Sequence, residues 1–368
     1  MFQSIGIFLL MQFFVSQFFG SKQQNATSGS QSNGIPKFSE RVDRSQVETY
    51  SEVPDIVAPI WPSNCSLDIN IYISPSPILP PKLRSLEKDA LVLQERNFTL
   101  GNYSDTREVE TDINIPREVQ QNGTLWAHFL VGLAGQQLDP FAKGYDVEKA
   151  YHVVHPLTQY LPKKKAKKLK NLLADEYDED DAKGDNTPNV QLVSYYHPNS
   201  TVSFVPNSGT LKYSLLQNPI RRFVPLEATG ARDGTGKNGW HYPIIFLNTF
   251  WQLKSHMLEL NSTVQTVPLR FTLNNLASWK FNMLASLEAS SKENARRAAF
   301  GGNQTPGGGD GSEFELFKEI LLDTNIWLLG TTGIVTVLHM LFETLAFKSD
   351  IVSINIAPAL FDIRLLIS

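Results

Sequence analysis

Cysteine is nearly absent from this chain. Its 368 residues hold one, Cys65, so no intrachain disulfide can form and a disulfide-stapled scaffold is excluded. A lone thiol suits a reducing compartment, although the lack of disulfides weighs little by itself. A surplus of positive charge is missing too. Lys and Arg total 33 against 37 Asp and Glu, a formal net charge of -4, which gives no electrostatic case for a nucleic-acid partner. Catalytic signatures are also lacking: there is no G-x-S-x-G and no H-E-x-x-H. Gly234-Thr-Gly236-Lys-Asn-Gly239 matches G-x-G-x-x-G, but ATGARD precedes it and WHYP follows, so the strand and helix N-terminus that such a phosphate cradle needs are missing. The Walker pattern fails as well, because residue 231 is Ala where Gly is required. No cofactor is expected.

Long hydrophobic runs are scarce, and the exception away from the N-terminus is Leu322 to Asp350. Its centre, Ile326 to Phe347, is 22 residues without Lys, Arg or Asp. A helix of that length covers roughly 33 Å, close to the hydrocarbon thickness of a bilayer. The run is polar along one side. Asn325, Thr332, Thr336, His339 and Glu343 recur at steps of 7, 4, 3 and 4, which places them on one helical face. Such a face turns toward other helices or a water-filled path rather than lipid. His339 and Glu343, four apart, can share a hydrogen bond or a proton. They could supply two metal ligands, but no third lies near, so no metal is expected. Two roles stay open for the stripe: helix packing, or a path for a polar substrate.

A second hydrophobic stretch, residues 1 to 20, is a signal peptide or an uncleaved anchor; it lacks Lys and Arg and a clear small-x-small cleavage site. Eight N-x-[ST] sequons follow, at Asn25, Asn64, Asn97, Asn102, Asn122, Asn199, Asn261 and Asn303. With 24 Asn and 52 Ser or Thr in the chain, chance placement gives roughly 3. All eight precede the apolar run, so residues 21–323 are expected in a lumenal space.

Between the two hydrophobic stretches the pattern is mainly that of strands. Leu67, Ile69, Ile71 and Ile73 alternate with Asp68, Asn70 and Tyr72. Thr124 to Val131, Gln191 to Tyr196, Thr201 to Val205, Pro243 to Leu247 and Val267 to Leu273 also read as strands, with Pro in nearly every gap. The expected fold class is a mainly β lumenal domain, an antiparallel sandwich, with a C-terminal transmembrane α-helix. Helical patterns are predicted at Ala142 to Tyr151, Lys163 to Ala174 and Ser278 to Arg297. Pro162 to Lys170 carries six lysines and Asp175 to Asp185 seven acidic residues, a self-neutralising solvated pair or a site for anionic headgroups. The expected order is a flexible linker over 21–59, the β-rich domain over 60–298, a Gly-rich linker over 299–312, a juxtamembrane helix over 313–322, a transmembrane helix over 323–348 and a divergent tail over 349–368.

Several of these segments together resemble the cleft lip and palate transmembrane protein family. They are the membrane stretch LDTNIWLL…VLHMLFETLAFKSDI, HYPIIFLNTFWQL at His241 to Leu253, VSYYHPN at Val193 to Asn199, NSTVQTVPLRFTLNNLASWKF at Asn261 to Phe281, IPREVQQNGTLWAH at Ile115 to His128, and KNLLADE at Lys170 to Glu176. The resemblance covers roughly residues 60 to 351. It implies a large lumenal domain followed by several helices in the endoplasmic reticulum membrane. It also implies one of two roles, neither of them an enzymatic reaction: ATP-independent scrambling of glucosaminyl-phosphatidylinositol, the glycosylphosphatidylinositol precursor, or retention and assembly of client membrane proteins. The expected partners are therefore membrane lipid and, on the second role, client membrane proteins, with the oligomeric state left open. After Ile351 the sequence departs from the family pattern, and the codons that Val352 to Asn355 allow resemble an intron donor, so the expectation there is either a truncated product or a gene model read into an intron, with the further helices of a lipid path missing from this chain.

Overall fold

The computed structural model describes residues 37–47, 49–81, 83, 90–163, 191–299, 312–325, 327–328 and 330–346. Their strands are β1 (Val57–Pro59), β2 (Ser66–Ser74), β3 (Leu91–Thr99), β4 (Arg107–Asn114), β5 (Trp126–Leu133), β6 (Ala150–Pro156), β7 (Thr158–Pro162), β8 (Leu192–Tyr196), β9 (Asn199–Val205), β10 (Gly239–His241), β11 (Ile244–Asn248), β12 (Leu258–Glu259) and β13 (Thr266–Asn275). The α-helices are α1 (Arg117–Gln120), α2 (Asn218–Arg221), α3 (Ser278–Ala299) and α4 (Ser312–Asp323). A further helical run covers residues 330–346. The chain divides into two compact units. One takes the described residues of 1–160, 193–249 and 259–286, the other those of 161–192, 250–258 and 287–368.

The first unit is built on two four-stranded sheets, in the orders β3-β2-β5-β6 and β11-β9-β13-β4. Period-two alternation decides which side chains they share. Leu67, Ile69, Ile71 and Ile73 of β2 lie opposite Leu133, Val131, Phe129 and Ala127 of β5. These inward residues, with Val202, Phe204, Ile245, Val267, Leu269, Phe271 and Leu273 from the second sheet, form one buried cluster. Phe98 meets Phe204 at 5.3 Å between ring centroids. Each such buried side chain contributes roughly 1.5–3 kcal/mol, so the shared interior, not any single contact, holds the sheets together. On the outer side of the second sheet, Phe281 of α3 packs edge-on against Phe246 at 5.3 Å, and Phe223 does the same at 5.1 Å.

The sandwich is not purely antiparallel. β9 and β13 run parallel in the middle of their sheet, and β1 pairs parallel with β10. A long excursion separates β9 from β13, which is what a parallel neighbour requires. Pro268 fits inside β13 because β9 pairs only from Arg270 onward, so no ladder bond is lost there. Asp68, expected on the solvent side of β2, is buried. Its carboxylate accepts the N–H groups of Asn97 (3.1 Å) and Gly135 (2.9 Å) and pairs with Arg96. The expected helix at Ala142 to Tyr151 is instead a run of turns leading into β6. Gly144 sits at φ +94°, and the carboxylates of Asp139 and Asp146 take the N–H groups of Phe141 and Glu148, the local alternative that Asp offers to a helix. The predicted helix at 163–174 lies outside the described residues except for Lys163.

The expected flexible linker is corrected from residue 37 onward. Residues 37–47 and 49–59 lie along the segment 230–241, tied by Val42 N–H to Arg232 O (2.7 Å), Ser51 N–H to Gly236 O (3.0 Å) and Asp55 N–H to Lys237 O (2.9 Å). Arg232 is buried, and its guanidinium donates to the carbonyls of Ser51, Glu52 and Ala231. The Gly-rich motif serves this seam. Asp233 accepts from Asn238 and Thr235 inside the turn, and strand β10 follows, so no helix N-terminus faces the loop.

Gly236 has φ +72°, and a Cβ there would stand 1.8 Å from the Thr49 carbonyl oxygen. Gly135 has a similar φ, +79°, with nothing within 4 Å of such a Cβ. Gly135→Ala should cost about 1 kcal/mol for the left-handed backbone alone, and Gly236→Ala should cost at least about twice that, because the arm must also move. Denaturant midpoints of the two variants test this; equal losses would mean that the arm does not constrain Gly236.

Candidate functional site

The polar stripe lies in the second unit. There α4 is held against residues 250–258. The Glu315 carboxylate accepts the Lys254 N–H at 3.1 Å, and the buried Lys318 pairs with Glu315 and lies over the Phe250 ring. Beyond α4, Asn325 caps the following turn, its Oδ1 accepting the Trp327 N–H at 3.0 Å. Thr332 and Thr336 turn inward on their own helix: their hydroxyls donate to the carbonyls of Leu328 (3.1 Å) and Thr332 (2.8 Å). This back-bonding commits both hydroxyl protons to carbonyls of their own helix. His339 and Glu343 are both exposed, and no hydrogen bond or ion pair joins them. Their polar atoms are thus the strongest groups that the stripe presents outward.

The rest of that helix is apolar and uncovered. Trp327 is 81% exposed, Ile334 and Phe342 are each 63% exposed, and Leu328, Val335, Val337, Leu338, Leu341 and Leu345 are exposed with them. An uncovered apolar surface of this kind marks a partner or a membrane. Among the described residues no helix is long and apolar enough to cross a membrane. Ile326, Leu329, Phe347 and Lys348, which belong to the expected span, lie outside the described residues, as do the leader and the tail.

Of the eight sequons, Asn25 and Asn303 lie outside the described residues. Asn64, Asn97, Asn102, Asn122, Asn199 and Asn261 all belong to the first unit, and all are exposed. Asn102 and Asn261 each accept both the N–H and the hydroxyl of the residue two on, Ser104 and Thr263. Asn64, Asn97 and Asn122 take left-handed backbone, as Asn does at turns.

A group of histidines went unnoticed in the sequence. His128 on β5 and His152 on β6 stack with ring centroids 5.3 Å apart, and His128 Nδ1 lies 3.1 Å from His152 Nε2. His128 Nε2 lies 2.9 Å from the Ser76 carbonyl, which only accepts. The network therefore assigns the proton of His128 to Nε2, and His152 donates to the free Nδ1. Nearby, His155 is wedged against Phe129 and Phe223, with a buried Nε2 that has no partner among the described residues. Burial pulls His152 and His155 down to about 4, with neighbouring His128 and Arg222 respectively adding to it, and lowers His128 too. Among the described residues no cluster of three or more His, Cys, Asp or Glu could hold a metal ion.

The family model described as cleft lip and palate transmembrane protein 1 (CLPTM1) matches residues 1–354. The chain belongs to the CLPTM1 family. The CLPTM1 of Danio rerio is 30% identical to it over 301 residues, covering 79% of this chain and 45% of the relative. The CLPTM1-like membrane protein cnrB of Dictyostelium discoideum is 28% identical over 291 residues, covering 79% and 42%. Lipid scramblase CLPTM1L of Homo sapiens is 24% identical over 247 residues, covering 66% and 41%. The chain spans less than half the length of each of these relatives. No solved structure matches it.

Two buried histidines of this CLPTM1-family chain contribute to its response to acid. The unfolded chain binds a proton at each imidazole near 6.5, whereas the folded chain keeps His152 and His155 neutral down to about 4. Their contribution to stability is therefore fully present above pH 6.5 and is lost as the pH drops from about 6.5 to about 4, by about 3 kcal/mol per imidazole. His155→Phe should flatten that slope and raise the denaturant midpoint at pH 5. A slope unchanged by the substitution would show that His155 is not held neutral.

Proposed function

We propose that this chain belongs to an endoplasmic reticulum membrane protein that moves polar lipids between leaflets without ATP, with residues 21–323 in the lumen. The observation that carries this is the helical run at 330–346, apolar and uncovered on most sides, polar along one. A charged headgroup crossing hydrocarbon loses its hydration, at a cost of several kcal/mol per unpaired polar group. Side chains that offer hydrogen bonds at depth lower that barrier. Glu343 and His339 are the groups whose polar atoms point outward; Thr332 and Thr336 offer acceptor oxygens, and Asn325 stands at the lumenal mouth. No bond is made or broken in such a passage, so the protein acts as a transporter and not as an enzyme. Relatives named as lipid scramblases support the reading, and so do exposed sequons at every described site. The family resemblance suggests glucosaminyl-phosphatidylinositol as the lipid.

The rival role, capture of client proteins, would be favoured by an open, uncharged sheet edge or an apolar patch on the first unit. At the β4 edge Glu108, Glu110 and Asp112 are exposed, the charge pattern that blocks strand addition.

Reconstituted in vesicles containing fluorescent phospholipid, a longer protein that carries this chain should lose at least threefold in scrambling rate with Glu343→Gln or His339→Leu, at unchanged yield. Thr332→Ala should be nearly silent, because its hydroxyl proton is already committed to Leu328. Unchanged rates in both site variants would end the path hypothesis. Glycosidase treatment of protein from a secretory-competent host should remove several kilodaltons, and the absence of any mobility shift would sink the lumenal assignment.

A further inference from the structure

We infer that the first unit holds a binding pocket for one acyl chain of a membrane lipid, built from residues other than those of the polar stripe. The pocket has a volume of about 480 Å³, within the range of small-molecule sites. It lies between the loop after β2, the turns before β6, and the segment on either side of β10. Tyr145, Tyr151 and Tyr242 form much of its wall, and the last two stack with centroids 4.6 Å apart. None of the three hydroxyls is available to a ligand as a donor. Tyr145 donates to Ala150 O at 3.0 Å, Tyr151 to Pro243 O at 2.7 Å and Tyr242 to Val147 O at 2.5 Å. The wall therefore offers ring surface rather than phenol protons. Pro77, Pro140 and Pro225 add surface without N–H donors. No Lys, Arg, Asp or Glu lines it among the described residues. His152, the one basic group there, is neutral and bound to His128.

That chemistry selects the ligand. A phosphate or a sugar placed here would lose its water and find no charge and few donors in return, a cost of roughly 2–7 kcal/mol per unpaired group. A hydrocarbon chain needs no polar partner: relative to water each buried CH₂ is worth about 0.8 kcal/mol, and a chain leaving a bilayer exchanges one apolar setting for another. Ile78 and Phe141, also lining residues, are 76% and 53% exposed, an apolar lip for a chain arriving from hydrocarbon. The inference rests on the lipid-handling reading for its choice of an acyl chain over an apolar peptide.

The test uses phosphatidylcholine with a diazirine on one acyl chain, in vesicles holding the same longer protein that carries this chain. After illumination, labelled peptides should map to residues 77–79, 140–147 and 225–228. Ala228, exposed at the wall, is the place to fill the pocket. Ala228→Trp should cut labelling of those peptides at least fivefold with an unchanged unfolding temperature, and Ala228→Ser should leave it intact. If Ala228→Trp unfolds the unit, excess oleate takes its place and should compete the label away to the same degree. Labelling confined to residues 327–346, labelling indifferent to both Ala228→Trp and oleate, or displacement by a hydrophobic peptide but not by oleate would overturn the pocket. Scrambling measured in the same vesicles separates the two ideas: labelling without scrambling removes the transport function and keeps the pocket, and scrambling without labelling does the reverse.

Discussion

The interior between the two four-stranded sheets is the constraint on which the first unit depends. β2 and β5 present one set of inward side chains, β9, β11 and β13 the other, and their alternation fixes the register of every strand between them. A slip of one residue in β13 would carry Val267, Leu269, Phe271 and Leu273 to the opposite face. The end of β13 is pinned by Asn275, which is buried: its Oδ1 accepts the Gly101 N–H at 2.9 Å and its Nδ2 donates to the carbonyls of Thr99 and Asn102. One side chain thereby joins the second sheet to the β3–β4 turn that carries the Asn102 sequon. At another margin Trp61 donates to Glu148 O and packs on Tyr151 and Tyr242, so the aromatic wall of the pocket is continuous with the core.

The second unit poses the opposite problem. Its helical run has exposed apolar side chains and a polar side on which Thr332 and Thr336 bond back to their own helix. In water this arrangement is unfavourable across most of the surface; in hydrocarbon only His339 and Glu343 are misplaced. Intramembrane ionisable groups cost about 2.5–3.5 kcal/mol each at the bilayer centre on insertion scales, which the neighbouring leucines, valines and isoleucines can offset. The balance favours a lipid environment for the helix, with those two residues against other helices or a polar path.

Strands whose apolar residues alternate strongly, β2 and β13, were legible in the sequence, and so was α3 from its run of helix formers. β4 was not. In Arg107 to Asn114 only Val109 and Ile113 are apolar, because an edge strand needs just one thin inward row and protects its rim with acid. The 142–151 segment misled because Glu, Lys and Ala suggest helix, while Gly144 and two aspartates settle the backbone as turns. Parallel pairing of β9 with β13 depends on partners far apart in the chain, which no local pattern encodes. The histidine pair was hidden for the same reason. His128 lies opposite Val154 and His152 opposite Leu130, so the imidazoles meet diagonally across two strands. Of the candidate path, spacing predicts a shared face for Thr332, Thr336, His339 and Glu343; it carries no sign that Asn325 caps a turn or that two threonines bond back to their own helix.

The central claim is that the helical run at 330–346 lies in hydrocarbon, and a depth measurement tests it directly. In a Cys65→Ser background, a nitroxide attached at Leu338→Cys in vesicles should relax readily with dissolved oxygen and hardly at all with a water-soluble nickel chelate. The same label at Asn102→Cys, on an exposed turn of the first unit, should show the reverse. Ready access of the nickel chelate to position 338 would place the helix in water and contradict the account.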